Sequence, residues 1–271
     1  MAEKINKFNV DRRSRDSEIT TEALSMINAS EELLKSRTTV LYKEGWHKGV
    51  IGIVASRCIE HFHRPTIIFA ESNGKATGSA RSVPDYNIYN AILECEEYLD
   101  SFGGHVFAAG LTVKKENLKS FTRRFEEVVS SNIKEHMLRP KIDVDLEIRI
   151  EDITESLIAK IEQMAPFGPH NMKPVFMSKG VRLNSNLRIL KEKHLKFDII
   201  QDKSRSISCI AFNLVQCKAL MDEVDSFSIC YSISINEFRG ARNIQLEVRD
   251  IKADETQSRK LSKKVQVEES R

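Results

Sequence analysis

Several features that define specialised classes of protein are scarce in this sequence. Its 271 residues include only 11 glycines and 6 prolines, too few for a collagen-like or low-complexity chain. No apolar run approaches the roughly 18 residues that a membrane-spanning helix needs, and the N-terminus is too polar for a secretory signal. The formal net charge of +3 does not by itself indicate a partner. We therefore expect a globular, cytoplasmic protein of two domains with no membrane partner.

The cysteines give no sign of a metal or redox site. There are five of them, an odd number, and no two form a C-x-x-C pair. Each lies among apolar residues, which favours reduced thiols that behave as small hydrophobic side chains. We expect no metal site in this chain.

The first 39 residues are rich in charge, and the sequence predicts a linker helix over residues 1–39. From Asp16 onward apolar residues recur at helical spacing, and Asp16 or Ser17 would cap that helix. The apolar stripe of residues 19–34 needs a partner, either in this chain or in another protein.

Residues 40–137 alternate between strand and helix patterns and predict an α/β domain with a mixed sheet. Asn73 and Gly74 form a pair favoured in type I′ hairpins, which would join strands 66–70 and 75–82. A helix is predicted over residues 88–99. Gly103 and Gly104 would then lie in the loop before a strand at 109–113.

Pro140 marks the expected start of a second domain, residues 138–252. A strand is predicted over 142–148 and a short helix over 154–164. The strand-like segments that follow predict a mostly β barrel. Residues 253–271 are rich in charge and predict a disordered tail.

One cluster of small residues could bind an anion. In the run GSARS, two hydroxyls and a guanidinium at Ser79, Arg81 and Ser82 can donate hydrogen bonds to a phosphate. The alternative is a glycine kink beside a surface arginine.

A second cluster contains Gly103, Gly104 and His105. Paired glycines let a ligand approach the backbone and would present the imidazole at a loop edge. A purely structural histidine is the alternative. His47 precedes a predicted helix N-terminus, a position that attracts anions.

These clusters lie within a longer resemblance. The runs GWHKGVIGIVASR (45–57), GKATGSARSV (74–83) and FGGHVFAAGLTV (102–113) resemble the DHH-associated substrate-binding domain of the RecJ family of single-strand-specific DNA exonucleases, within the DHH phosphoesterase superfamily. Downstream, PFGPHNMKPVF (166–176) and NEFRGARNIQLEVRDI (236–251) resemble the OB-fold of the same family. Residues 4–16 resemble the start of its interdomain helix.

The resemblance implies the DNA-binding half of a 5′ to 3′ single-stranded-DNA exonuclease of DNA repair and recombination. Its Mn²⁺ or Mg²⁺ would be held by a DHH catalytic domain, and this sequence contains no Asp-His-His triplet. Ser79, Arg81 and Ser82 would bind a terminal phosphate. Gly103 and Gly104 would border the scissile phosphate, and His105 would stabilise charge on it.

Further DNA contacts are expected in the linker helix and on the barrel, where a basic groove with stacking aromatics is typical of single-strand binding. Most aromatics of the barrel should be core, with Phe238 the best candidate for stacking on a base. The expected DNA contacts are Arg12, Arg13, Arg188, Lys196, Phe238, Arg239 and Arg242.

Two other functions stay open. The chain could be a stand-alone single-strand-binding or adaptor module that docks on a nuclease or a single-strand-binding protein through residues 19–34. It could also be a phosphodiesterase acting on small nucleotides, as other members of the superfamily are. Asp143 and Asp145 form the only Asp-x-Asp pattern, and their alternation with apolar residues favours a strand surface over a metal role.

Overall fold

The computed structural model describes residues 2–238 and 241–254. The chain divides into two compact units, Met1–Lys141 and Ile142–Arg271. The helices of the first unit are α1 (Ala2–Asn28), α2 (Glu31–Lys35), α3 (Ile51–Phe62), α4 (Ile88–Leu93) and α5 (Leu118–Asn132). Its strands are β1 (Thr39–Lys43), β2 (Thr66–Ser72), β3 (Lys75–Arg81), β4 (Leu99–His105) and β5 (Ala108–Lys114). Among the helices described, none is long and apolar enough to cross a membrane.

The five strands form a mixed sheet in the order β1-β2-β3-β5-β4. Only the β1–β2 pair is parallel, so the predicted α/β class is confirmed. Helices α4 and α5 cover one face, where Phe121 packs edge-on against Phe69 at 5.8 Å between ring centroids. Helix α3 packs on the other face over β2 and β3. Asn73 and Gly74 both have positive φ angles, 53° and 76°, as the predicted type I′ turn requires.

The N-terminal helix differs from the prediction. It begins at Ala2, so Asp16 is not a cap but a buried residue in mid-helix. Its carboxylate accepts a hydrogen bond of 2.9 Å from Nη2 of Arg57 on α3. Ile19, Ala23 and Ile27 are buried in one cluster with α3, so this part of the stripe of residues 19–34 is not a free docking surface, whereas Leu34 is 48% exposed.

The region before β5 also differs. The helix predicted over residues 88–99 ends at Leu93, and Leu99 begins β4. Gly103, Gly104 and His105 therefore lie in a strand rather than in a loop. The glycines, serine and histidine of this segment do not produce an alternation of apolar and polar residues. Sequence periodicity therefore could not reveal the strand.

The second unit contains a closed barrel with helices α6 (Glu155–Gln163) and α7 (Cys217–Glu223). Its strands are β6 (Leu146–Glu147), β7 (Phe176–Leu190), β8 (His194–Ile200), β9 (Ile207–Ala211), β10 (Phe227–Phe238) and β11 (Ala241–Ala253). Strands β7-β8-β9-β11-β10 close through the β10–β7 pairing, with β9 and β11 parallel, which confirms the predicted OB-type barrel. The strand predicted over 142–148 is reduced to the two residues of β6, which pair with β7. Most of the predicted tail lies outside the described residues.

Candidate nucleic-acid interface

Three of the five predicted phosphate-binding residues lie, with His105, on one side of strands β3, β5 and β4. The pairing register sets nine residues there in three rows across the strands, and we call this surface the open face. The rows are Thr77, Thr112 and Ser101; Ser79, Gly110 and Gly103; and Arg81, Ala108 and His105. Residues that alternate with them, such as Ala80 and Ala109, point into the core. The sheet therefore brings Ser79, Arg81, Gly103 and His105 to one surface.

Arg81 lies at the edge of the open face beside α3. Its Nη1 donates to Oγ of Ser79 at 2.9 Å and to the carbonyl oxygen of Ala80 at 2.8 Å. No carboxylate in the described residues forms an ion pair with it. The guanidinium is half-buried, so it is a positive charge without compensation from the described part of the chain. Such a charge favours an anionic ligand.

Gly52 makes room for this guanidinium. A Cβ atom added at Gly52 would lie 2.7 Å from Nη2 of Arg81 and 3.0 Å from Oγ of Ser79. The sequence-based interpretation missed Gly52. The feature that could have identified it is a glycine in the first turn of an apolar helix, because alanine there would favour the helix by about 1 kcal/mol.

The N-terminus of α3 adds further donors at this place. Val50 precedes the helix and supplies no side-chain cap, and within the described residues the N–H groups of Ile51 and Gly52 have no acceptor. The positive end of a helix dipole attracts anions. His47 orders the preceding loop, because its Nδ1 accepts from the Gly49 N–H at 3.1 Å. A phosphate beside Arg81 would therefore meet a guanidinium, a hydroxyl and the end of a 12-residue helix.

His105 ends β4 in the same row as Arg81. Both residues pair with Ala108, so their Cα atoms are two strand spacings apart, about 10 Å. The imidazole is exposed and has no hydrogen-bond partner in the described part of the chain. Between the two residues, Gly103 and Gly110 have nothing within 4 Å of an added Cβ. The floor of the open face is thus bare backbone that a ligand can approach.

Two predicted phosphate ligands stand apart from this group. The hydroxyl of Ser82 donates to the Tyr86 carbonyl at 2.7 Å and its N–H donates to the Phe107 carbonyl at 3.0 Å. Because a serine has one hydroxyl donor and one backbone donor, neither remains for a phosphate. Gly104 alternates with the open face and is exposed, and an added Cβ there would lie 2.5 Å from Cα of Ala109 on the paired strand β5. Both residues have structural roles in this arrangement.

On the barrel, an exposed patch joins β7, β8 and the end of β9. Arg188 and Lys196 lie directly opposite each other on β7 and β8, and neither forms an ion pair within the described residues. His194 pairs with Leu190 two residues along the strands, and its ring lies 5.3 Å from that of Phe212. Phe212 is 50% exposed. We call Arg188, His194, Lys196 and Phe212 the barrel patch.

The other predicted DNA contacts have different surroundings. Arg242 lies 2.9 Å from a carboxylate oxygen of Glu162, so its charge is already paired. Arg12 and Arg13 are exposed on the first half of α1. The side chain of Phe238 and the whole of Arg239 lie outside the described residues.

The expectation that most barrel aromatics are core is confirmed for Phe176, Phe197 and Tyr231. Phe212 is the exception, at 50% exposed, and the sequence analysis did not single it out. Successive side chains of a strand point to opposite faces. Because Ala211 is buried, this alternation could have placed Phe212 on the outer side of the barrel.

The described residues do not fit a divalent metal. They bring together no group of three or more His, Cys, Asp and Glu side chains that could hold an ion. Asp145 has a structural role instead, since its Oδ2 accepts from the Val175 N–H at 2.8 Å.

Family models match both units. The DHHA1 domain matches residues 35–131 and the RecJ OB domain matches residues 144–250. The chain is 34% identical over 260 residues to the single-stranded-DNA-specific exonuclease RecJ of Bacillus subtilis, covering 95% of this chain and 33% of that protein. Against RecJ of Escherichia coli the identity is 30% over 266 residues, covering 93% of this chain and 44% of that protein. The chain thus spans less than half the length of these curated relatives.

A solved structure shows the same fold. RecJ from Thermus thermophilus in complex with Mn²⁺ superimposes with a TM-score of 0.77 at 21% identity, covering 93% of this chain and 36% of that one. Its complex with Mg²⁺ gives 0.76.

Proposed function

We propose that this chain, a homologue of the C-terminal part of the RecJ exonucleases, is the DNA-binding half of a 5′ to 3′ single-stranded-DNA exonuclease. The observation that carries the proposal is the guanidinium of Arg81, which has no carboxylate partner among the described residues. It lies beside the Ser79 hydroxyl and the uncapped N-terminus of α3, at the edge of a floor of bare glycine backbone. This inventory suits a terminal phosphate whose nucleotide lies flat on the sheet. The cellular role would be DNA repair and recombination in the cytoplasm.

The residues of the open face would have different roles in binding DNA. Arg81 and Ser79 hold the 5′ phosphate, with each charge-assisted hydrogen bond contributing about 1.5–3 kcal/mol. Gly103 and Gly110 let the sugar-phosphate backbone approach the strands. His105, about 10 Å from Arg81, donates a hydrogen bond to the phosphodiester that is cleaved and stabilises charge that develops there.

The barrel patch would hold the strand further along. Arg188 and Lys196 supply positive charge without carboxylate partners in the described residues, and Phe212 supplies an exposed ring. Basic side chains with a stacking aromatic bind single strands with little sequence preference.

Hydrolysis requires a further component. A DHH domain, elsewhere in the same protein or in a separate chain, would hold Mn²⁺ or Mg²⁺ and supply the activated water. A single-strand-binding protein is a further expected partner. We expect this chain alone to bind DNA without cutting it.

The test compares the binding of 5′-phosphorylated and 5′-hydroxyl oligonucleotides by fluorescence anisotropy. The wild type should prefer the phosphorylated end by about tenfold or more, as one charge-assisted bond predicts. Arg81→Ala should lose this preference. Arg123→Ala, which removes an exposed arginine on α5, should keep it. Equal affinities of the wild type for the two ends would refute the phosphate site.

An adaptor is the second candidate, with a surface other than the one predicted. Ile5, Phe8 and Val10 on α1 are all more than half exposed, at 55%, 62% and 57%. Mixing the chain with a DHH catalytic domain separates the two functions. Restored cleavage that needs Arg81 supports the exonuclease half, whereas association without cleavage supports an adaptor. Turnover of dinucleotides by the chain alone would favour a small-nucleotide phosphodiesterase.

A further inference from the structure

The tip of the β4–β5 hairpin presents two large apolar side chains to solvent. Val106 and Phe107 occupy the two-residue turn between His105 and Ala108, and they are 41% and 61% exposed. A ring that is this exposed costs free energy in water, because its apolar surface stays hydrated. Within the part of the chain that the structure describes, Phe107 belongs to no core cluster.

The tip is nevertheless held firmly. The Val106 carbonyl accepts from the Ile88 N–H at 3.1 Å, and the Phe107 carbonyl accepts from the Ser82 N–H at 3.0 Å. Ser82 is itself fixed by its hydroxyl bond to the Tyr86 carbonyl. The hairpin thus holds the backbone of Phe107 in a fixed place.

This position adjoins the row of the open face that contains Arg81, Ala108 and His105. Phe107 precedes Ala108, which pairs with Arg81 on one side and with His105 on the other. Consecutive Cα atoms are about 3.8 Å apart and paired strands about 4.8 Å apart. The Cα atom of Phe107 therefore lies no more than about 9 Å from the Cα atoms of Arg81 and His105. The first base of a single strand has a face that no neighbouring base covers.

We propose that Phe107 is a stacking site for the 5′-terminal nucleobase of single-stranded DNA. This inference rests on the proposed phosphate site and adds a base contact to it. Every base has an aromatic face, so the contact accepts all four bases. The ring also limits how far the strand can advance past Arg81, which positions the first phosphodiester toward His105.

The test separates the base from the phosphate. Two 5′-phosphorylated oligonucleotides are compared by anisotropy, one with thymine and one with an abasic residue at the 5′ terminus. Phe107→Ala should weaken binding of the first by about 5-fold or more, as the loss of one stacked base predicts, and should leave the second unchanged. Phe107→Tyr should retain wild-type binding of both.

Controls keep the outcome unambiguous. Val106→Ala alters the same turn and should bind both oligonucleotides like the wild type. The thermal midpoint of Phe107→Ala should match the wild type, since the side chain is mostly exposed. Equal weakening of both oligonucleotides by Phe107→Ala, or no weakening of either, would overturn the stacking site. The phosphate site is tested by a separate result: if the wild type shows no preference for a 5′ phosphate, the phosphate site is wrong.

Discussion

Glycines lie on both faces of the β1–β5 sheet, and their surroundings differ. On the side that faces α4 and α5, a Cβ added at Gly78 would lie 2.5 Å from Cε1 of Phe69, and one added at Gly104, an exposed residue, would lie 2.5 Å from Cα of Ala109 on the paired strand β5. On the open face, Gly103 and Gly110 have nothing within 4 Å. Packing requires the first pair, whereas nothing in the described structure requires the second. We attribute the second pair to the approach of a ligand.

The largest effect is expected at Gly104, which lies against the backbone of β5. Gly104→Ala should lower the free energy of unfolding by about 3 kcal/mol, because its Cβ meets backbone atoms that cannot move aside. Urea denaturation measures this loss. Gly103→Ala is the matched control one residue away and should stay within about 0.5 kcal/mol of the wild type. Equal losses in the two variants would show that the faces do not differ.

The edge of the open face should respond in the opposite sense. Gly52→Ala places a Cβ against the guanidinium of Arg81, a flexible group that can shift. The variant should be as stable as the wild type or more stable by up to about 1 kcal/mol, because alanine is the better helix former. Its preference for a 5′ phosphate should nevertheless fall about tenfold, the worth of one charge-assisted bond. A variant that loses stability but keeps the preference would contradict the positioning role.

The barrel patch offers a comparison with the open face. Replacing both Arg188 and Lys196 by alanine should weaken single-strand binding and reduce the slope of log K against log salt by about 1.4, two phosphates at about 0.7 each. The preference for a 5′ phosphate should not change, because that end is assigned to Arg81. Loss of the end preference in this variant would argue against two separate contacts.

The smallest effect concerns the reactivity of the buried thiols of Cys58 and Cys95. Burial raises the pKa of Cys58 to about 11 and that of Cys95 to about 12. A higher pKa leaves less thiolate at pH 8, so native protein should resist alkylation at both positions. In the variant Gly110→Cys, the new thiol on the open face should react readily. Mass spectrometry locates the label, and rapid labelling of Cys58 would show that the helix-covered faces are not closed.

Local sequence patterns identified some elements of the fold and missed others. Apolar spacing identified α3 and α5, and the Asn73-Gly74 pair identified the hairpin. Strand β4 escaped detection because its glycines and serine show no alternation. The pairing of Asp16 with Arg57 is a tertiary contact over 41 positions, and no local pattern indicates it. The role of Gly52 depends in the same way on a side chain that a different element supplies.

The most direct test of the central claim is an amide NMR titration with a 5′-phosphorylated dinucleotide. The account predicts that the amide signals of Gly103 and Gly110 and the side-chain Nε signal of Arg81 shift together, while the amide of Gly78 on the covered face stays in place. Shifts confined to residues away from the open face, with those of Gly103, Gly110 and Arg81 unchanged, would contradict it.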